Sequence, residues 1–167
     1  MALDFEPAVV ALATQPFRLV WPDGDREREH TPDYFARLAD GTGGRRCPAA
    51  GSGRPGGRRG FRVHRADLRV GGQFRLVGDL SHPLRVNLRW LARYRHPHCC
   101  RAPVADRLRE VFCEPRLLLA GAERVGDRLA VLLVLYHLLW QHELTADLVS
   151  AQLGAGAVVC LAGRGRP

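Results

Sequence analysis

The chain of 167 residues contains no lysine and no isoleucine, and Asn87 is its one asparagine. All three residue types are encoded by A/T-rich codons, so their scarcity indicates a very GC-rich coding sequence. The 25 cationic residues are therefore all arginine, and against 17 acidic residues they give a net charge of +8. Arginine binds phosphate through paired hydrogen bonds, which favours a nucleic-acid partner. A GC-rich gene also uses arginine wherever any cation suffices, so both explanations stay open here.

Long apolar runs and paired cysteines are also missing. The longest apolar stretch, residues 129–140, is interrupted by His137 and is too short to span a bilayer, so it predicts a buried helix. The first residues show no basic segment followed by an apolar run, and we expect no signal peptide. The five cysteines are an odd number without paired spacing. We therefore expect a cytoplasmic protein with reduced thiols and no membrane contact.

The first forty residues carry strand signals. Large apolar side chains alternate over residues 17–21, which is typical of a half-buried strand. Turn-forming residues at 22–25 then predict a hairpin whose second arm is residues 26–30. Another short strand is expected over residues 33–38. Asp40 and Gly41 form a further turn signal, after which the next arm of the sheet is expected.

That next arm is absent from the pattern. Residues 41–60 contain no Val, Leu, Phe, Tyr or Trp, so no face of a strand there can be buried. The composition predicts a flexible basic linker. Strand character returns only at residues 73–77, where apolar positions alternate again.

The second half of the chain is predicted to be helical. Apolar periodicity and prolines near the starts predict helices at 84–95 and 103–112, and residues 128–142 form the most apolar helix. Thr145 is expected to cap a short helix over residues 146–153, and residues 157–161 are expected to form a strand. A long helix, a tight turn, a short helix and a strand is the order of a winged helix-turn-helix, and many small helical bundles share it.

One helical face is basic. Arg85, Arg89 and Arg93 recur every four residues, so they lie in one row along the predicted helix. The row is a candidate for phosphate contacts with nucleic acid, and a solvated helix face is the simpler alternative.

Two further patterns concern metal ions. The run HPHCC at residues 96–100 lacks the spacing of a zinc site, so we expect a loop there, with Cys113 as a small buried side chain. Asp33 directly follows Pro32 at a predicted strand start, which suits an oxygen ligand for Mg²⁺ in phosphodiester cleavage. Such chemistry also needs a second acid and a cation, normally an acid-x-Lys triplet on the paired strand after Asp40 and Gly41.

Four segments, in order, resemble one protein family. LDFEPAVVALATQPFRLVWPDG, HTPDYFARLADGTG, QFRLVGDLSHPLRVNLRWLARYRHP and VLLVLYHLLWQHELTADL are similar to the TnsA-type endonuclease subunit of heteromeric transposases, over residues 3–40 and 73–150. The resemblance implies an α+β fold, with an incomplete restriction-endonuclease-like mixed-sheet core in residues 1–82 and a helical, winged-helix-like region in residues 83–167. Residues 41–72 would be flexible or divergent.

The resemblance also implies an activity and partners. The family cuts DNA at transposon ends with Mg²⁺, beside an integrase-type transposase subunit and, in some systems, an ATPase regulator. Its Pro-Asp aspartate corresponds to Asp33, the candidate catalytic and metal-binding residue. His30 matches the residue ahead of that motif and is given no catalytic role.

Two departures predict weak activity. The family carries a glutamate on a helix before the LDFEP segment, where this chain begins, and Glu6 does not take its place. The acid-x-Lys strand is replaced by GGRRCPAAGSG. We hypothesise that residues 43–72 are an out-of-frame translation of a GC-rich gene, and we predict little or no strand cleavage. The alternative is a non-catalytic winged-helix module that binds DNA or docks on the transposase.

Overall fold

The computed structural model describes residues 2–31, 33–39, 43–48, 72–77 and 80–163. The chain divides into two compact units. The sheet unit is Glu6–Asp79, and the helical unit combines Met1–Phe5 with Leu80–Pro167. The architecture is a mixture of helices and small sheets, as the α+β prediction requires.

The sheet unit contains six strands in the part of it that is described. These are β1 (Val9–Thr14), β2 (Leu19–Asp23), β3 (Arg26–His30), β4 (Tyr34–Leu38), β5 (Gly43–Pro48) and β6 (Gly72–Val77). The β2–β3 hairpin and β4 confirm the sequence predictions. Between Asp23 and Arg26 the chain turns through two residues, and Gly24 has φ 64°, a conformation that glycine adopts without a steric penalty.

A four-stranded sheet has the order β1-β4-β5-β6. The pairs β1–β4 and β4–β5 are antiparallel, and β5–β6 is parallel. The prediction that residues 43–48 belong to a flexible linker, with the next arm of the sheet missing, was therefore wrong. Strand pairing joins main-chain N–H and C=O groups, so a segment without large apolar side chains can still pair on both sides. The rest of the predicted linker, residues 41–42 and 49–60, lies outside the described residues.

The helical unit contains four α-helices and a small sheet in its described part. The helices are α1 (His82–Leu91), α2 (Ala102–Val111), α3 (Leu118–Glu123) and α4 (Arg128–Trp140), and short 3-10 turns span Ala92–Tyr94 and Pro97–Cys99. The strands are β7 (Arg116–Leu117), β8 (Leu144–Ala146) and β9 (Val158–Leu161), in the antiparallel order β7-β9-β8. The predicted helices at 84–95, 103–112 and 128–142 and the strand at 157–161 are confirmed within a few residues.

The short helix predicted over residues 146–153 is wrong. Thr145 lies in β8, where it pairs with Cys160 of β9. The Asp147 carboxylate then accepts hydrogen bonds from the main-chain N–H groups of Val149 and Ser150, at 2.9 and 3.0 Å. A side chain that satisfies main-chain donors in this way stabilises a turn at the expense of a helix.

The core of the helical unit surrounds α4. Its N-terminus is capped by Asp127, whose carboxylate accepts a hydrogen bond from the Ala130 N–H at 3.0 Å. Fifteen buried side chains pack together, and they come from every α-helix and from β8 and β9. Phe112 is fully buried just after α2, and a Cβ on Gly121 of α3 would lie 2.3 Å from its ring. The α2–α3 contact therefore depends on glycine at that position.

None of the helices in the described part of the chain has the length and apolar character needed to cross a membrane.

Candidate functional site

Asp33 directly precedes β4, which is one of the two inner strands of the four-stranded sheet. Its side chain is half-buried, and its main-chain oxygen accepts a hydrogen bond from the Gln15 N–H at 3.1 Å. This contact joins the end of β1 to the start of β4, next to the Thr14–Tyr34 pair. Among the described residues, no side chain lies within hydrogen-bond distance of the Asp33 carboxylate. Asp33 is therefore linked to the end of β1 through its main chain.

Glu6 lies at the opposite end of the same sheet. Its main-chain oxygen accepts from the Val9 N–H at 2.9 Å, and Val9 pairs with Leu38 at the far end of β4. The five residue steps from Val9 to Thr14 span about 16 Å of strand. Glu6 and Asp33 are thus too far apart to share a metal ion, whose carboxylate ligands lie within about 2.6 Å of it.

The residues present at Asp33 do not fit a Mg²⁺ site. Across residues 2–31, 33–39, 43–48, 72–77 and 80–163, no group of three His, Cys, Asp or Glu side chains is placed to hold a metal ion. The paired strand β5 has the sequence GGRRCP, which contains no acidic residue. Mg²⁺ requires several oxygen ligands or a substrate phosphate in addition to one carboxylate.

The pairing of β4 with β5 determines which positions of β5 lie near Asp33. Ala36 pairs with Gly44 and Arg37 with Gly43. The pairing is antiparallel, so the later residues of β5 run toward the start of β4, where Asp33 lies. β5 is therefore the strand in which an acid-x-Lys pair would be required.

The HPHCC segment forms a short 3-10 turn at residues 97–99, where a loop was predicted. The rings of His96 and His98 are stacked, with centroids 5.2 Å apart. Cys99 is buried, whereas Cys100 is exposed, so the adjacent thiols occupy different environments. The prediction of a buried Cys113 was wrong, because it follows the end of α2 on the surface; the buried thiols among the described cysteines are Cys99 and Cys160.

The arginine row, Arg85, Arg89 and Arg93, lies on the exposed face of α1 and the 3-10 turn that continues it. None of the three forms an ion pair with a described acidic residue. Arg95 differs, since its guanidinium lies 3.4 Å from the Asp4 carboxylate. The arginine row therefore presents charges that are not neutralised locally.

Three aromatic rings lie beside the arginine row, and we call them the aromatic strip: Trp90, Tyr94 and Tyr136. Their ring centroids are 5.9 Å (Trp90–Tyr94), 6.0 Å (Trp90–Tyr136) and 4.9 Å (Tyr94–Tyr136) apart. The guanidinium carbon of Arg93 lies 5.1 Å from the Trp90 ring centroid, within cation–π range. The sequence alone did not reveal this cluster, because ring-to-ring contact with Tyr136 of α4 depends on how the helices pack.

The hydroxyl of Tyr136 stays protonated at neutral pH. Burial raises its pKa above the usual 10.0, and the neighbouring Tyr94 adds to the increase. Trp90 and Arg128 act in the opposite direction but do not reverse the shift. The aromatic strip thus carries no negative charge that would oppose a phosphate group.

Asn87 holds the segment after β8 against α1, a role that its sequence position did not reveal. Its side chain is buried, and its amide N–H groups donate to the main-chain oxygens of Leu148 and Ala151, at 2.9 and 2.8 Å. Its side-chain oxygen accepts from the Leu153 N–H at 2.8 Å. One amide therefore satisfies three main-chain groups more than sixty residues away.

An apolar cleft of about 290 Å³ lies between the start of α1 and β8. His142 lies in its lining with φ 58°, and its Nε2 atom is 2.6 Å from the main-chain oxygen of Phe5. The carboxylate of Asp147, which also lines the cleft, is already engaged by the turn that it caps. Without converging polar groups, the cleft lacks the features of a catalytic site.

No protein-family model matches the chain, and no curated protein matches it significantly. The resemblance to TnsA-type endonucleases therefore stays a prediction from the sequence.

Proposed function

We propose that this chain is a TnsA-like DNA-cleaving subunit of a heteromeric transposase whose metal site is incomplete. The observation that carries the proposal is the position of Asp33. It follows proline and begins the second strand of a mixed sheet, directly beside the strand where the family has its acid-x-Lys element. In a restriction-endonuclease-like core, the strand that begins at Pro-Asp must lie next to the strand that follows it in the chain.

The order of elements in the helical unit supports the winged-helix region that the family resemblance implies. From α2 onward the order is helix, strand, helix, helix, strand, strand, and the sheet order is β7-β9-β8. We propose that this order is that of a winged helix, with α3 and α4 as the helix-turn-helix pair and β8 and β9 flanking the wing. This pair differs from the one that the sequence predicts, whose second helix is residues 146–153.

The proposed activity is low, because among the described residues Asp33 has no partners of the right chemistry. A lone carboxylate binds Mg²⁺ weakly, since the ion keeps most of its water. In the family a metal ion supplies charge stabilisation at the scissile phosphate. In this chain, Asp33 would offer one oxygen ligand at that place, and the adjacent strand β5 offers no acid.

A nicking assay tests the proposed impairment. Supercoiled DNA incubated with the full chain and Mg²⁺ is expected to stay uncut, and Asp33→Ala is expected to behave identically. Detectable Mg²⁺-dependent nicking that disappears in Asp33→Ala would contradict the incomplete site while supporting the nuclease family.

A repair variant tests the family itself. In Arg45→Glu/Cys47→Lys an acid and a cation with acid-x-Lys spacing enter β5, the strand that pairs with β4. We expect this double variant to acquire Mg²⁺-dependent nicking that is lost again when Asp33→Ala is added. The reversed arrangement, Arg45→Lys/Cys47→Glu, is the matched control. Equal nicking by the two arrangements would argue against an acid-x-Lys requirement and so against the proposed family.

The gene provides a test independent of the protein. We propose that codons 43–72 are translated out of frame, and one of the other two frames should then encode an apolar strand with an acid-x-Lys or acid-x-Arg element. Neighbouring genes for an integrase-type transposase and an ATPase would support the proposed partners. Absence of any such strand from both frames would end the frameshift hypothesis.

The second candidate function is a non-catalytic module that binds DNA. The arginine row favours it, because its three exposed guanidinium groups have no acidic partner among the described residues. Binding through phosphate contacts weakens steeply as salt rises, whereas docking on a protein through an apolar face does not. A salt titration of DNA binding by the full chain therefore separates this candidate from protein docking.

A further inference from the structure

We propose that the aromatic strip and the adjoining arginines Arg89 and Arg93 bind single-stranded DNA. Unpaired bases stack on the rings, and the sugar-phosphate chain follows the arginine row. This inference rests on the proposed contact with DNA and adds the strand state that the helical unit recognises.

The exposure of Trp90 is the first argument. Its side chain is 42% exposed, whereas Trp140 in the same unit is 7% exposed. The core already contains fifteen mutually packed buried residues, and Trp90 is not among them. Tyr94 and Tyr136 are half-buried, and both ring centroids lie within 6.0 Å of that of Trp90. The tryptophan ring is thus supported by two neighbours and still partly exposed, which suits a stacking platform.

The local charge is the second argument. Residues 80–105 contain five arginines and no acidic residue. Asp4 of the same unit pairs with one of these arginines, Arg95, and the other acidic residues of the helical unit occur on α2 and beyond. The Arg93 guanidinium lies against the Trp90 ring, so cation and platform are one continuous surface. A polyanion that also carries flat aromatic groups is complementary to both features.

The combination favours single strands over duplexes. In a duplex the faces of the bases are covered by their neighbours, so an aromatic side chain on a protein surface gains little from them. In a single strand each base offers a free face, and stacking is tolerant of sequence. The arginine row serves either form of DNA equally, because it contacts phosphate. The aromatic strip therefore distinguishes the two forms.

The test is a fluorescence-anisotropy titration of the full chain with labelled oligo(dT) of about 15 nucleotides and with a duplex of the same length. We expect the single strand to bind more tightly. Trp90→Ala is expected to weaken oligo(dT) binding about tenfold and to leave duplex binding within about twofold. Trp90→Phe keeps a ring that packs on the two tyrosines, so it is expected to retain most of the affinity.

Arginine variants supply the matched control. Arg93→Ala is expected to weaken oligo(dT) binding and to reduce its dependence on salt. Arg107→Ala removes the same charge from an exposed position of α2, outside the acid-free segment, and should change the affinity by less than about twofold. Thermal unfolding followed by circular dichroism identifies any variant that fails to fold, and the comparison of single strand with duplex in the wild-type chain then decides the question.

Three results would overturn the inference. The first is a duplex bound as tightly as the single strand, and the second is a Trp90→Ala affinity equal to that of Arg107→Ala. The first result removes the single-strand preference, the second removes the aromatic strip as its cause, and both leave the proposed nuclease family standing. The third is a wild-type chain that binds neither form of DNA, which removes the inference together with the proposed function.

Discussion

Different interactions stabilise the interior of each of the two units. The helical unit buries fifteen contacting side chains around α4. In the sheet unit, Ala36 is the one buried residue among the side chains that the structure describes, and four of its strands are joined through main-chain pairing. Apolar burial is the larger stabilising contribution in folded proteins. The helical unit is therefore expected to be the more stable of the two. The candidate catalytic residue, Asp33, lies in the less stable sheet unit.

This difference also divides the proposed functions. The candidate metal ligand Asp33 lies in the sheet unit and has no described side-chain partner. The arginine row and the aromatic strip lie on α1 and α4, which are anchored in the larger core. The proposed loss of cleavage and the proposed DNA binding therefore concern different units of the chain.

Removal of a core ring should have the largest effect. Phe112→Ala is expected to destabilise the helical unit by about 3–5 kcal/mol, because a fully buried aromatic side chain leaves a cavity. Chemical unfolding followed at the helical circular dichroism band measures this loss. Phe35→Ala, which removes a half-buried ring packed on Phe17 of the sheet unit, is the control. Similar losses of helical signal for both would contradict the contrast between the units.

Overpacking at the same contact should come next. Gly121→Ala places a methyl group 2.3 Å from the Phe112 ring, and we expect a loss of about 3 kcal/mol, the upper end for overpacked cores. Adding Phe112→Leu should recover part of it, because the smaller side chain frees space. Stability measurements on both single variants and the double variant provide the coupling energy. Strictly additive losses would show that the two residues do not compete for this space.

The hydrogen bonds of Asn87 should contribute less than the core. Asn87→Ala leaves three main-chain groups without their partner, and we expect a loss of about 2 kcal/mol. Hydrogen exchange should rise most at the Leu153 N–H. Asn87→Asp is a sharper variant, since a carboxylate cannot donate to the two carbonyl oxygens. Unchanged exchange at Leu153 in both variants would refute the proposed role of Asn87.

The turn at Asp147 should have the smallest effect, and it depends on pH. Hydrogen bonds from Ser150 and Val149 lower the pKa of the exposed Asp147 carboxyl below its usual 3.8. The ionised form therefore stabilises the folded state above the unfolded-state pKa, and this contribution disappears as pH falls through the lowered value. The melting temperatures of wild type and Asp147→Ala should differ slightly at neutral pH and converge in acid. A difference that persists at the lowest pH would exclude this ionic contribution.

Several helices and strands could be predicted from short stretches of the sequence. Apolar periodicity and side-chain caps act within one or two helical turns, so α1, α2 and α4 were predictable, and the same holds for the β2–β3 hairpin. The chemical type of Asp33 and the exposed arginine row were also evident from residue order. No such local rule identified Asn87 as a structural residue, because its three partners lie more than sixty residues along the chain.

Long-range pairing determined the remaining features. Composition argues against a strand at residues 43–48, yet β4 and β6 supply main-chain partners on both sides. Residues 144–146 pair with β9 although Thr145 is a good helix cap. The aromatic strip exists only because α4 carries Tyr136 to the rings of α1. Local preferences are worth a fraction of a kcal/mol per residue, and tertiary hydrogen bonds and burial outweigh them wherever the two disagree.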